Sequence, residues 1–514
     1  MKYQILFFLG FALLFKSVAG SPNIVFILAD DMGLGDVHFY GGSRCKVKTP
    51  NIDRLAHEGM AFTDAHTPSS VCTPTRYGIL TGRYCWRTRL KEGVLWGCAP
   101  HLINPKRKTL ASLFKKKGYR TACIGKWHLG MDLPTTNGKY PTCSARTAEE
   151  LSNPKKCNID WDGQIKNGPN VLGFDYFWGI TGSLGMAPFV WIENDHFVGR
   201  GSMIKEIEKH IAPASPDFVK EEVLPTITHK AVEYILQQKE SSAPFFLYLP
   251  LSSPHAPICP SRAFQGKSSI GPYGDFLLET DWAVGEVLHA LKKIGKLDDT
   301  LIFFTADNGC SPIVRFKDPK QVIHFNYGKK EPIDPSGHYP SLDYRGAKAD
   351  LYDGGHRVPF LVRWGGMISQ GSTNTTPICL TDFFATFSEL TAQSSSAEDS
   401  LSILPLLTGK GVPVLHEAIV HHSIRGMFSI RQGAWKLLVA PGSGGWSSPQ
   451  PGKAPSGAPK IQLYNLANDP GEYENVQLEH PEVVQRLQAI LERYKTQGRS
   501  VPEFLVLHNK SQEK

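Results

Sequence analysis

The sequence predicts an α/β fold with a mostly parallel central sheet between layers of helices, and two observations support this prediction. Four continuous apolar runs have the length of a β-strand, and each leads into a cluster of polar residues. Unbroken apolar runs are typical of strands buried on both faces of a parallel sheet. Amphipathic stretches of helical length lie between these runs, and strands that alternate with helices indicate an α/β architecture.

The predicted elements alternate along the chain. The four strands are predicted at residues 23–28, 120–124, 245–249 and 301–305. The helices are predicted at residues 51–60, 109–117, 226–238 and 276–294. Ligands bind beyond the carboxyl ends of the strands in such sheets, so we expect the four polar clusters to meet at one site.

The composition is that of a folded globular protein, with 41% hydrophobic and 20% charged positions among 514 residues. The net charge of +8 is small, and the basic residues are scattered apart from three lysines at 115–117. Proteins that bind nucleic acids concentrate positive charge on one face, so we expect no nucleic-acid partner.

The N-terminal residues 1–20 have the pattern of a signal peptide. Lys2 precedes an apolar run at residues 5–15, and small residues at 18–20 provide a cleavage site. The run is shorter than the roughly 20 residues needed to cross a bilayer, and an uncleaved membrane anchor is the alternative interpretation. We therefore predict export (secreted, periplasmic or, in a eukaryote, lysosomal) without a membrane span. Export permits disulfides, and Cys143 with Cys157 is the predicted pair.

Two domains are predicted after the signal peptide, at residues 21–400 and 401–514. The second contains an alternating hairpin pattern at residues 427–431 and 435–439 and an amphipathic helix at residues 482–494. The Gly-, Ser- and Pro-rich residues 441–459 are predicted to form a loop that is either disordered or lines the mouth of the site.

Acidic and amide side chains after two strands predict a metal site. Asp30 and Asp31 follow the first strand, and Asp307 and Asn308 follow the last. Three converging carboxylates need a cation, and oxygen ligands select a hard ion such as Ca²⁺, whose coordination is less strict than that of Mg²⁺. A single aspartate at such a position more often caps a helix or a turn, but two clusters in the same position favour the metal.

Five basic residues form the positive counterpart of this cluster: Arg76, Lys126, His128, His255 and Lys348. Such groups bind a tetrahedral oxyanion and stabilise charge on a leaving oxygen in phosphoryl or sulfuryl transfer. Cys72 precedes a helix predicted to begin at Pro74, where free backbone amides favour an anion, so it is a candidate nucleophile. The alternatives are a disulfide for Cys72 and a core or surface position for each basic residue.

These residues stand in motifs that resemble those of the type I sulfatases, which belong to the alkaline phosphatase superfamily. Residues 72–76 match the signature C-x-P-x-R, and residues 118–128 resemble the second signature of the family. Residues 30–33 and 305–309 resemble its metal motifs. Lys348 with residues 353–359 is similar to its K-x4-(E/D)GG-x-R-x-P segment, with Asp353 where many members have Glu.

The resemblance implies a calcium-dependent sulfuric ester hydrolase with a mostly parallel or mixed sheet. A smaller C-terminal α+β subdomain would contain a short antiparallel sheet and a helix. A maturation enzyme would oxidise Cys72 to Cα-formylglycine, whose hydrate attacks sulfur with help from Asp307. The implied calcium ligands are Asp30, Asp31, the modified Cys72, Asp307 and Asn308.

The resemblance also implies roles for the basic residues. Lys126 and Lys348 would hold the sulfate, and Arg76 would hold the formylglycine oxygens. His255 would give a proton to the leaving alcohol, with Lys348 close by. His128 would remove a proton from the second formylglycine oxygen and so expel the sulfate.

The substrate is predicted to be a sulfated carbohydrate, because the export signal and the usual substrates of the family favour it. Asp195, in a loop at residues 181–196, and His338 are the predicted substrate contacts, with packing or a surface turn as the alternative for each. Two other functions stay open. One is a phosphonate or phosphate diester hydrolase of the same superfamily, and the other is an inactive protein that binds sulfated glycans.

Overall fold

A computed structural model describes residues 21–208, 210–312 and 337–503 of the chain. The predicted signal peptide lies outside the described residues. Within the described ranges, no helix combines the length and the apolar character needed to cross a membrane.

The strands of the first half of the described chain are β1 (Asn23–Ala29), β2 (Met60–Phe62), β3 (Ala65–His66), β4 (Arg120–Lys126), β5 (Tyr176–Ile180), β6 (Trp191–Glu193), β7 (His196–Val198), β8 (Met203–Ile207) and β9 (His210–Ala214). The later strands are β10 (Phe245–Pro250), β11 (Thr300–Ala306), β12 (Phe360–Arg363), β13 (Ser372–Asn374), β14 (Ile378–Cys379), β15 (Ile419–His422), β16 (Phe428–Gln432), β17 (Trp435–Val439) and β18 (Gln462–Asn465).

The α-helices are α1 (His38–Gly41), α2 (Pro50–His57), α3 (Cys72–Thr81), α4 (Leu110–Lys116), α5 (Val223–Leu236), α6 (Pro272–Lys293), α7 (Asp353–His356), α8 (Phe383–Leu390), α9 (Leu404–Thr408) and α10 (Pro481–Thr496).

Ten strands form one mixed sheet in the order β13-β2-β12-β11-β1-β10-β4-β5-β6-β7. The five strands from β11 to β5 run parallel, whereas β12 runs antiparallel to both of its neighbours. The four predicted strands are β1, β4, β10 and β11, which lie side by side at the centre of this sheet. All residues of β1, β10 and β11 are buried, which explains their unbroken apolar sequences. The predicted fold class is confirmed.

The register of the parallel strands aligns the residues that follow them. Ala29 of β1 lies beside Ala306 of β11, and the backbone N–H of Asp307 donates to the carbonyl of Ala29 at 3.1 Å. The backbone N–H of Asp30 donates to the carbonyl of Ser253, after β10, at 2.9 Å. Three strands therefore deliver their polar clusters at the same level of the sheet.

Two groups of helices pack on the sheet. One group contains α3, α4 and α8, and the other contains α2, α5 and α6. Phe383 of α8 contacts Phe26 of β1 with ring centroids 4.4 Å apart, and Phe114 of α4 contacts Phe246 of β10 at 4.5 Å. The apolar strands thus bury their side chains against helices, as the sequence predicts.

The first predicted helix, at residues 51–60, is too long at its C-terminal end. It corresponds to α2, which ends at His57, and Met60 already begins β2. Gly59 permits this tight connection, because a Cβ atom there would lie 2.0 Å from the carbonyl oxygen of Val362. The limit of the helix is set by a distant strand, which helical periodicity does not reveal.

The C-terminal region forms a four-stranded antiparallel sheet in the order β15-β16-β17-β18. The predicted hairpin corresponds to β16 and β17, and the last predicted helix lies within α10. Leu437 of the sheet and Leu487 and Leu491 of α10 belong to one small apolar core. The domain boundary at residue 400 stays a prediction.

All ten cysteines lie in the described ranges and are free thiols. Cys143 and Cys157 lie opposite each other in an isolated antiparallel bridge. The structure therefore brings the predicted pair together without forming the predicted disulfide.

Candidate active site

The polar clusters meet at the carboxyl edge of the parallel strands. Asp30 and Asp31 follow β1, Asp307 and Asn308 follow β11, and Lys126 is the last residue of β4. All five side chains are buried. The convergence of these residues, predicted from three separate stretches of sequence, is present in the structure.

Cys72 joins this cluster at the start of α3. Its Sγ, one oxygen each of Asp30 and Asp31, and one ring nitrogen of His255 all lie within 4.8 Å of one another. The helix begins at Cys72 and not at Pro74 as predicted, because proline is tolerated in the first turn, where backbone N–H groups have no intrahelical acceptor. Burial raises the pKa of the Cys72 thiol to about 12, so the unmodified thiol is protonated and a poor nucleophile.

Two lysines hold the two carboxylates that follow β1. Lys126 Nζ lies 2.6 Å from Oδ2 of Asp30, and Lys348 Nζ lies 2.7 Å from Oδ2 of Asp31. Burial alone would raise the pKa of Asp30, but nearby positive groups, Lys126 foremost, hold it well below its usual range. Burial alone would lower the pKa of Lys348, but Asp31 raises it. Asp30 and Lys348 therefore keep their charges although both side chains are buried.

Asp307 is held by an arginine and by the backbone. Arg76 donates to Oδ2 of Asp307 through Nε at 3.0 Å and Nη2 at 2.7 Å, and the backbone N–H of Asp31 donates to Oδ1 at 3.1 Å. Burial raises the pKa of Asp307 to about 6, and the neighbouring charge of Asp30 adds to this shift. This carboxylate is thus firmly oriented, and its affinity for a proton is higher than that of an exposed aspartate.

The oxygen atoms of the cluster fit a hard cation. Oδ1 of Asp30 and Oδ1 of Asn308 are buried and accept no hydrogen bond from the described residues. The amide Nδ2 of Asn308 donates to Oδ1 of Asp31 at 2.8 Å, so its carbonyl oxygen is left as a free acceptor. A buried acceptor without a donor is costly, and carboxylate and amide oxygens are the ligands that Ca²⁺ prefers. The donor set therefore fits calcium.

His128 has one nitrogen bound and one available. Its Nε2 lies 2.7 Å from the carbonyl oxygen of Leu95, which places the proton on Nε2. Its Nδ1 is buried and has no hydrogen-bond partner among the described residues. Burial, together with the charges of Lys126 and Arg76, lowers the pKa of His128 well below its usual range. His128 is therefore a neutral imidazole with a free lone pair.

His255 and Lys348 form a hydrogen-bonded pair beside Asp31. Nδ1 of His255 donates to the carbonyl of Ala256, which leaves Nε2 as an acceptor. Nε2 lies 2.9 Å from Nζ of Lys348 and 3.4 Å from Oγ of Ser183. Burial lowers the pKa of His255 to about 4. A proton on this pair is thus held by Lys348 and can be passed through Nε2 of His255.

Two residues near this pair were missed by the sequence analysis. Ser183 lies in the loop predicted at residues 181–196 and contacts His255. Trp446 lies in the loop predicted at residues 441–459, and the centre of its ring is 6.0 Å from Nζ of Lys348. Asp350 anchors this loop by accepting the backbone N–H groups of Trp446 at 2.9 Å and Ser447 at 3.0 Å. Ser183 and Trp446 do not stand in a motif, so no sequence signal identified them.

The structure does not bring Asp195, a predicted substrate contact, to the site. β6 runs antiparallel to β5, with Glu193 opposite Trp178, so the turn at Asp195 lies near the start of β5. That turn is at the amino edge of the parallel strands, opposite the site. Asp195 instead bonds His196 at 2.7 Å and Gln164 at 2.5 Å.

His338, the other predicted contact, is fully buried. Its Nε2 lies 2.8 Å from Oδ1 of Asp36, and the backbone N–H of Lys46 donates to its Nδ1 at 3.1 Å. Both ring nitrogens are thus used inside the protein, which argues against direct contact with a substrate. The aromatic and polar composition of these loops predicted contact with a sugar. Composition does not show the direction in which the side chains point.

Comparison with known proteins identifies the family. The sulfatase family model matches residues 22–393. The chain is 32% identical to an N-acetylgalactosamine-6-O-sulfatase of Bacteroides thetaiotaomicron, over 92% of this chain and 93% of that protein. It is 28% identical to human arylsulfatase A, over 92% of this chain and 88% of that protein.

A solved 6S-sulfatase structure, from work on glycosaminoglycan metabolism by Bacteroides thetaiotaomicron, has the same fold. It superposes with a TM-score of 0.75 and 30% identity, and covers 93% of this chain and 99% of that one. The family match spans the described site from Asp30 to Lys348, including the motifs that resemble those of the type I sulfatases. The chain belongs to the sulfatase family and is a sulfatase.

Proposed function

We propose that this sulfatase is a calcium-dependent sulfuric ester hydrolase whose nucleophile derives from Cys72. The observation that supports this proposal is the buried position of Cys72 within 4.8 Å of Asp30, Asp31 and His255. The hydrated formylglycine made from Cys72 would supply the nucleophilic oxygen, and Ca²⁺ would polarise the sulfate. The ion would be held by Asp30, Asp31, the modified Cys72, Asp307 and Asn308.

The surrounding residues bind the sulfate and move protons. Lys126 and Lys348 attract the sulfate oxygens, and Arg76 contributes positive charge while it orients Asp307. Asp307 accepts the proton of the attacking group, and Arg76 and the backbone N–H of Asp31 hold its carboxylate in place for this step. These groups are preorganised by the buried pairs described above, so little reorganisation is needed when charge develops.

The two histidines act on different steps. Lys348 supplies a proton through Nε2 of His255 to the oxygen of the leaving alcohol. The free Nδ1 of His128 accepts a proton when the sulfate is released. The two roles are compatible. His128 is neutral and its Nδ1 carries no proton, whereas His255 is hydrogen bonded to a protonated lysine.

We propose a sulfated carbohydrate as the substrate, with 6-O-sulfated N-acetylgalactosamine as the first compound to test. The N-acetylgalactosamine-6-O-sulfatase that covers nearly the whole chain supports this choice. We also propose that residues 1–20 direct the protein out of the cytosol and that a maturation enzyme modifies Cys72 before the fold buries it.

The proposal is tested by sulfate release from a panel of mono-sulfated sugars, 4-nitrophenyl sulfate and an aryl phosphonate. The protein is made in a host with the maturation enzyme, and the Cys72→Ala variant is the control. We expect turnover of a sugar sulfate that is lost in the control. Hydrolysis of the phosphonate alone would assign the diester hydrolase function instead, and glycan binding without any turnover would assign a binding protein.

The state of Cys72 and the metal are tested on the same protein. Mass spectrometry of the tryptic peptide 55–76 should show an aldehyde in place of the thiol, and an active enzyme with only unmodified Cys72 would contradict the proposal. Removal of metal with EDTA should abolish sulfate release, and Ca²⁺ should restore it better than Zn²⁺.

A further inference from the structure

A cleft lies beside the two histidines of the site. It has a volume of about 380 Å³, and its lining includes Trp96, Cys98, Thr142, Arg146, Gly185 and His210. We call it the Trp96 cleft. Its size falls in the range of about 300–1,000 Å³ that is usual for sites that bind small molecules.

The Trp96 cleft is built from segments that also position His128 and His255. Leu95, which precedes Trp96, accepts the hydrogen bond from Nε2 of His128 at 2.7 Å. On the other wall, a Cβ atom at Gly185 would lie 3.5 Å from Cδ of Pro257, two residues after His255. A ligand in the cleft is therefore adjacent to the residues that act on the sulfate ester.

The side chains of the cleft suit a sugar ring. Trp96 is 60% exposed, although an indole of this size is normally buried, and its ring meets the edge of His210 at 5.8 Å between centroids. Sites that bind small molecules combine such aromatic surfaces with a few polar groups that fix orientation. The hydroxyl oxygens of Thr142 and Ser144 provide acceptors in the same lining, and their protons are donated to Oδ1 of Asn158 and to the carbonyl of Lys156.

Arg146 gives the cleft a positive charge. Among the described residues, no carboxylate forms an ion pair with its guanidinium. An arginine at a ligand cleft forms a planar, bidentate pair with a carboxylate or a sulfate. Two carboxylates lie nearby, because Oε2 of Glu150 accepts the backbone N–H of Arg146 at 2.7 Å and Oε2 of Glu208 lies 3.8 Å from a Cβ atom built at Gly185. In the part of the chain that the structure describes, neither pairs with the guanidinium of Arg146, which is therefore available to an anionic sugar.

We propose that the Trp96 cleft binds the sugar next to the sulfated one in the glycan chain, with Trp96 against its ring and Arg146 paired with its carboxylate or sulfate. This inference rests on the proposed function, because it assumes that the sulfated sugar lies at Cys72. It extends that function from a monosaccharide site to a site that recognises at least two linked sugars, the second of them anionic.

The test compares three substrates with the mature enzyme: 6-O-sulfated N-acetylgalactosamine, its disaccharide with a hexuronic acid, and its disaccharide with neutral galactose. Trp96→Ala should raise KM for both disaccharides by about 10-fold, which corresponds to 1.4 kcal/mol, and leave the monosaccharide unchanged. Arg146→Ala should raise KM by a similar factor for the hexuronic acid disaccharide alone. Arg425→Ala, a change of the same type in the C-terminal region, is the matched control.

A binding measurement separates this inference from the proposed function. The Cys72→Ala protein is titrated calorimetrically with the hexuronic acid disaccharide, with and without the Trp96→Ala change. Weaker binding in the Trp96→Ala protein supports the cleft, even if no sulfated sugar is turned over and the proposed function fails. Equal affinity in both proteins, or equal KM changes for the monosaccharide and the disaccharides, would overturn the inference.

Discussion

The individual charged residues of the site are almost completely removed from water. Asp30, Asp307, Arg76 and Lys126 have no exposed side-chain surface, and Lys348 has 7%. Burying such charges is expensive, and a buried ion pair is weak evidence for a gain in stability. The arrangement is better explained by function, because fixed charges in a dry site stabilise developing charge without reorganising.

Replacement of the single residue His128 tests the role that we propose for it. His128→Ala should lower kcat by about 10²- to 10⁴-fold, the usual contribution of a general acid or base. KM should change little, because the sulfate is held by the two lysines. Steady-state kinetics on the best sugar sulfate measures both constants.

The matched control is His289→Ala, which removes an exposed histidine on α6. A His128→Ala enzyme with the kcat of this control would contradict the proposed role.

The secondary-structure elements hold the residues of the site in place. β1, β10 and β11 are buried along their whole length, and the polar clusters begin where the apolar runs end. α6 is the longest helix in the described ranges and is amphipathic, yet it carries a buried acid, Glu279. Oε2 of Glu279 accepts the backbone N–H of Ser261 at 2.9 Å, and Oε1 has no partner among the described residues.

Glu279 should make stability depend on pH. Burial raises its pKa to about 7 in the folded protein, above the ordinary value of 4.5. The folded state therefore holds the proton more strongly, so this contribution to stability is complete below pH 4.5 and is lost as the pH rises through 7. Glu279→Gln should flatten this decline and add about 2 kcal/mol to the free energy of unfolding at pH 8.

Urea denaturation of both proteins between pH 4.5 and pH 8 measures this effect. Glu240→Gln removes an exposed glutamate and should leave the profile unchanged. Parallel profiles for Glu279→Gln and the wild type would show that Glu279 is ionised normally.

In the whole molecule, buried ion pairs connect the C-terminal sheet to the large sheet. Arg431 of β16 pairs with both oxygens of Asp64 at 2.7 Å, and Lys436 of β17 lies 2.7 Å from Asp353 at the start of α7. The segment that carries Asp353 also carries Lys348. The position of Lys348 in the site therefore depends on residues from both sheets.

A second buried ion pair lies beside α10. Arg87 donates to both oxygens of Asp399 at 2.8 and 2.7 Å and to the carbonyl of Tyr494 in α10 at 2.7 Å. Arg87→Met would leave Asp399 buried without its charge partner. We expect this change to lower the free energy of unfolding by about 3–5 kcal/mol, the usual cost of breaking a buried pair.

Thermal and urea unfolding of the variant measure this cost. Arg200→Met breaks an exposed pair with Asp162 and should cost less than about 1 kcal/mol. Similar losses in the two variants would contradict the idea that burial decides the energy of these pairs.

The predictions succeeded where the signal was local. Strands β1, β4, β10 and β11 were found because burial on both faces requires an unbroken apolar sequence. The edge strand β13 and its neighbour β2 have three residues each, too few to show a period. The end of α2 was misplaced because it depends on the contact between Gly59 and Val362.

The sequence by itself determined the fold class, the central strands and the set of groups at the site, because each depends on short-range patterns and on motifs with fixed spacing. Only the tertiary structure decided which nitrogen of each histidine is free, that Trp446 and Trp96 lie near the site, and that Asp195 does not. Side-chain direction depends on the packing of segments far apart in the chain. Because β6 runs antiparallel to β5, Asp195 lies at the amino edge of the parallel strands and not at the carboxyl edge, where the site is.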